Sequence, residues 1–130
     1  MGFQGYAGEE PYFDLKCWMM GESVWIDPLM VHKHWSGRRS YNRHFTDDYI
    51  VNLLSTANII GGEKWLYDVG DKFMFSTRLI PQDGSAPKPM IDLIEEAYNR
   101  SSERATWLRE RSMRSFDECL RLFSETGIRI

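Results

Sequence analysis

The spacing of apolar residues along this chain changes period several times. Tyr12, Leu15, Trp18 and Met19 recur at three- and four-residue steps, which is one face of a helix. Glu9, Glu10 and Pro11 suit its first turn, and Gly21 ends it. Val24, Trp25 and Ile26 then form a short β-rich run, interrupted by Asp27-Pro28. Residues 30–35 alternate as a second strand would, with Met30, His32 and His34 on one side and Val31, Lys33 and Trp35 on the other. Thr46 followed by Asp47 and Asp48 reads as a helix cap with acids set against the helix dipole. Tyr49, Ile50, Leu53, Leu54 and Ala57 continue that helix, and Gly61-Gly62 closes it. Residues 63–69 predict a short helix with Trp65, Leu66 and Val69 inward, and residues 73–80 predict a strand.

Residues 81–89, PQDGSAPKP, have the composition of a linker. Two amphipathic helices follow. The first carries Met90, Ile91, Ile94, Ala97 and Tyr98. The second carries Trp107, Leu108, Met113, Phe116, Cys119, Leu120 and Phe123, and ends near Gly127. The expected fold is therefore α+β, a small mixed sheet with packed helices followed by a C-terminal helical hairpin. The expected division is residues 1–80, a linker at 81–89 and a tail at 90–130.

Composition narrows the function. The 130 residues suit one domain with a core of its own. A net charge of −3 argues against a general nucleic-acid binder. The N-terminal residues lack the pattern of a signal peptide, and no apolar run is long enough to span a bilayer. Cys17 and Cys119 are expected as buried free thiols, which points to a reducing, cytoplasmic setting. Trp18, Trp25, Trp65, Trp107 and the seven methionines are expected to fill the core.

One stretch stands out against the acidic background. VHKHWSGRRSY, residues 31–41, gathers two histidines, a lysine, two arginines and two aromatics. His32 and His34 could face a metal together, although no cysteine or third histidine is close by to complete a zinc site. Trp35, Tyr41, Arg43 and His44 also interleave bases with aromatics, a weak version of a single-stranded nucleic-acid surface.

The order of residues over the first half carries a resemblance. Tyr6, Ala7-Gly8, Glu9, Trp18, Gly21, residues 24–26, Pro28 and His34 follow one another as they do in family-2-like glycosyltransferases. The chain resembles the C-terminal half of that glycosyltransferase-A catalytic domain, closest to the polypeptide N-acetylgalactosaminyltransferases. The likeness covers about residues 3–75, with Asn52 and Trp65 loosely fitting the next helix. Ala7 stands where that family usually has glycine, and Arg38 lies farther from the histidine than the family's arginine does. The Asp-x-Asp or Asp-x-His motif that holds the metal there is absent from this sequence. The resemblance thus implies that the nucleotide-binding half is missing.

The resemblance implies roles. Glu9, with Glu10 as runner-up, would sit at the acceptor hydroxyl as base or electrostatic partner. Tyr6 would lie beside the sugar or acceptor. His34 would ligate manganese, which bridges a diphosphate. Arg38 or Arg39, with Tyr41, would bind that diphosphate as it departs. The reaction would be transfer from a nucleotide-sugar to a hydroxyl, with a partner chain or upstream domain carrying the Asp-x-Asp. The chain alone is expected to be inactive. The competing reading is a non-catalytic interaction or oligomerisation module, with residues 88–127 as a docking hairpin that makes a homo-oligomer. A small polyanion binder is the third.

Overall fold

The computed structural model describes residues 9–22, 46–75, 78 and 85–125, the side chains of 9–13 and 123 aside. Five helices succeed one another: α1 (Glu9–Met19), α2 (Asp47–Gly61), α3 (Glu63–Phe73), α4 (Met90–Arg111) and α5 (Phe116–Glu125). Among the described residues there is no strand, so the expected α+β fold with a mixed sheet is overturned. The strands expected at 24–26 and 30–35 lie outside the described residues. Of residues 73–80, only 73–75 and 78 are described, and there the reason for the error is visible. Leu66, Val69 and Phe73 keep helical spacing, and Val69 and Phe73 pack on the same core, so α3 runs on through Phe73. Arg78 forms a single bridge and no ladder.

The sequence logic of α2 is direct. Thr46 is its N-cap, its hydroxyl accepting from the Tyr49 N–H at 3.1 Å, and Asp47 and Asp48 occupy the first turn. At the other end Gly62 takes φ 79°, where a side chain would be strained, and its N–H returns to the Asn58 carbonyl at 3.0 Å. That one residue separates α2 from α3.

α2 and α4 form the centre of the molecule. Ile50, Val51 and Leu54 of α2, Leu66 of α3, and Leu93, Ile94 and Ala97 of α4 make the main core cluster. Leucines and isoleucines buried this fully contribute roughly 1.5–3 kcal/mol each. A second cluster joins Met19 of α1, Ile59 and Ile60 of α2 and Leu108 of α4, with Leu15, Trp18 and Phe116 against it. α1 is therefore seated at the far end of the α2–α4 pair.

The C-terminal region differs from the expected hairpin in where it bends. α4 is one helix of 22 residues, continuous through the stretch where two helices were expected to meet. The turn falls at residues 112–115 instead. Several inward expectations also fail. Ile91 is 63% exposed and Met113 79% exposed, and Tyr98 and Trp107 also reach solvent. Leu93 and Leu108, by contrast, are fully buried. Met74 is exposed as well, so the methionines do not all fill the core.

Candidate functional site

α1 carries the two carboxylates singled out in the sequence. Its first residues are Glu9 and Glu10, so both lie in the opening turn of an 11-residue helix. Tyr6, His32, His34, Arg38, Arg39, Tyr41, Arg43 and His44 lie outside the described residues. The structure therefore sets the backbone of the glutamates on a helix end, and the expected metal and diphosphate residues fall outside what it describes. Among the described residues, no group of three His, Cys, Asp or Glu side chains could hold a metal ion.

The opposite end of α1 is built in detail. The Met19 carbonyl accepts from two backbone N–H groups of the α4–α5 turn, Met113 at 2.8 Å and Arg114 at 3.0 Å. The Arg114 guanidinium donates to the Trp18 and Glu22 carbonyls, each at 3.2 Å. It also lies 5.0 Å from the centroid of the Trp18 ring. The last carbonyls of a helix have no partner within it and carry partial negative charge, so a cation fits there, and one guanidinium nitrogen of Arg114 serves both carbonyls. Gly21, at φ 95°, turns the chain away, and a Cβ at that position would come within 2.7 Å of the Met113 sulfur.

A second cationic contact runs along the same side. Lys16 of α1 and Arg111 of α4 lie 5.1 Å and 4.9 Å from the Trp107 ring centroid. Trp107 thus packs between helices while staying partly in solvent, which explains why its apolar spacing misplaced it in the core. Trp65 is half-buried and meets Phe116 edge to face, with centroids 5.1 Å apart.

Between the end of α1, the α2–α3 joint and the α4–α5 turn lies a cleft of 360 Å³. Met19, Ile60 and Phe116 give it apolar walls, while Arg109, Arg114 and Asp117 add charge. Sequence reading missed this corner, because it placed Met113 inside a helix. The signal was present: Ser115 and Glu118 have the spacing of a capping box. In the structure the Ser115 hydroxyl accepts from the Glu118 N–H at 3.1 Å.

The N-terminus of α2 is fixed by charge. Asp47 accepts from Arg78 at 3.2 Å and from the Lys88 N–H at 2.9 Å, and Arg78 also donates to the Lys88 carbonyl. Asp47, read only as a dipole-facing acid, therefore also ties the segment before α4 to the start of α2. Glu96 holds the exposed Lys88 ammonium above its ordinary pKa, first through a hydrogen bond and then through its charge.

Both cysteines are free; Cys119 is buried and Cys17 half-buried. No helix among the described residues is long and apolar enough to cross a membrane. No protein-family model matches this chain, and no characterised protein and no solved structure shows significant similarity to it.

Proposed function

We propose that this chain supplies the acceptor-side helix and the metal-side loop of an enzyme that transfers a sugar from a nucleotide-sugar to a hydroxyl. The supporting observation is α1. It starts at Glu9 and Glu10, holds Trp18 in its last turn and stops before Gly21, the extent the resemblance implies. On this reading Glu9, or Glu10 beside it, faces the acceptor hydroxyl and takes its proton or steadies the charge that develops. Tyr6 packs on the sugar or acceptor. His34 is a ligand of manganese, and Arg38 or Arg39 with Tyr41 holds the leaving diphosphate. The aspartates of the metal site come from outside this sequence, and without them no transfer is expected.

Manganese is paramagnetic, so weak binding can be read on the chain itself. Substoichiometric manganese with a nucleoside diphosphate should broaden the His34 imidazole resonances more than those of His32 and His44. Uniform broadening of all three, or none, would remove His34 from the metal role.

A second reading has its own observation. Tyr67 in the middle of α3, and Met74 and Phe75 just past its end, are 52%, 51% and 93% exposed. An apolar group of this kind on a helical body supports an interaction or oligomerisation module. A stable dimer in sedimentation that ignores nucleotides would favour this reading over sugar transfer.

A further inference from the structure

We infer that Arg114 is a positioning residue for α1, so that the α4–α5 turn sets where the Glu9–Glu10 end of that helix lies. Five contacts carry the inference. The Arg114 and Met113 N–H groups both reach the Met19 carbonyl, and the Arg114 side chain spans the Trp18 and Glu22 carbonyls while resting on the Trp18 ring. Met19 is the one fully buried side chain among residues 14–22. Among the described side chains of α1, the apolar anchor and the polar clasp therefore act on the same end.

That arrangement makes α1 a lever. A helix of 11 residues is about 16 Å long, so a tilt of about 10° at the clasped end moves the other end by about 3 Å. Such a shift equals a whole hydrogen-bond length, enough to take a carboxylate out of reach of a hydroxyl. A free helix this short is marginal in water, so α1 depends on the body it docks to. The importance of the glutamate end rests on the sugar-transfer reading, whereas the clasp itself does not.

Amide hydrogen exchange, read by mass spectrometry on the intact chain, separates the two ideas. In Arg114→Met, exchange across residues 14–20 should rise by about tenfold or more, the scale of one lost charge-assisted contact. Exchange across residues 93–105 should stay within about twofold, because the α2–α4 core is untouched. Arg114→Lys should recover only part of the protection, since an ammonium keeps the charge but not the flat guanidinium that rests on the Trp18 ring. Unchanged exchange in α1, or a rise shared equally by α4, would overturn the inference. So would full protection in Arg114→Lys, which would leave no role for the guanidinium plane. Failure of the sugar-transfer reading would appear in the His34 resonances and leave the exchange result standing.

Discussion

The Asn58 side-chain amide donates to the Ser101 hydroxyl at 2.8 Å, across the buried face where α2 meets α4. The Ser101 hydroxyl in turn donates a hydrogen bond to the Ala97 carbonyl at 2.6 Å. The residues are 2% and 1% exposed, so this polar pair sits where water does not reach. It fixes the sliding and rotation of one helix on the other, which leucines alone specify less sharply.

Ser101→Ala should destabilise the protein by about 1–2 kcal/mol, because the Asn58 amide loses its buried acceptor. Urea unfolding should show the loss as a lower midpoint with an unchanged slope. Asn58→Ala together with Ser101→Ala should cost less than the sum of the two single changes. Additive costs would mean that the bond contributes little.

Gly70 marks where α3 approaches α4. A Cβ there would lie 2.7 Å from the Ile94 Cδ1 and 3.2 Å from its Cγ1. Alanine would favour the helix by about 1 kcal/mol but overpack the core by about 1–3 kcal/mol. Gly70→Ala should therefore lower thermal stability, and adding Ile94→Val should restore it. If Gly70→Ala alone raises the melting temperature, Ile94 moves aside freely.

Burial pushes the Cys119 thiol above its ordinary pKa. A raised folded-state value means stability is full below the unfolded thiol's pKa, near 9.0, and falls as pH climbs from there through the folded value. Cys119→Ala should flatten this part of the profile, measured by denaturant unfolding between about pH 8 and 10. In the unmodified protein, a thiol reagent at pH 8 should label half-buried Cys17 well before Cys119.

Phe75→Ser should leave unfolding free energy within about 0.5 kcal/mol, since Phe75 is almost wholly in solvent. If the α3 end is an interface, the same change should shift sedimentation towards monomer. A dimer that persists unchanged would exclude Phe75 from the contact.

Much of the helical layout was legible because it is written locally. The Thr46 cap, the Asp47-Asp48 turn and the Gly61-Gly62 stop each act within four residues, and α2 falls between them. Gly21 closes α1 for the same reason. The continuity of α4 was not legible, because Ser101 and Ser102 look like breakers. Their hydroxyls return to the Ala97 and Tyr98 carbonyls, each at 2.6 Å, and the helix runs through. The strand expected from Phe73 failed because packing of Val69 and Phe73 on the main core cluster extends α3. Of the candidate site, only the start of α1 at Glu9 falls within the described residues. Arg114 escaped notice because its partners, Trp18 and Glu22, are distant in sequence and are met through backbone carbonyls, with the Trp18 ring beside them.

The contact between Arg114 and the Trp18 carbonyl spans 96 positions of the chain. At translation rates of about 5–20 residues per second, α1 leaves the ribosome roughly 5–20 s before its clasp is made. Through that interval Trp18 and Met19 have neither Arg114 nor Leu108 to pack against. The α4–α5 turn, made well after α1, thus completes the seat of that helix, and a nascent chain halted before Arg114 would expose α1 to chaperones and proteases.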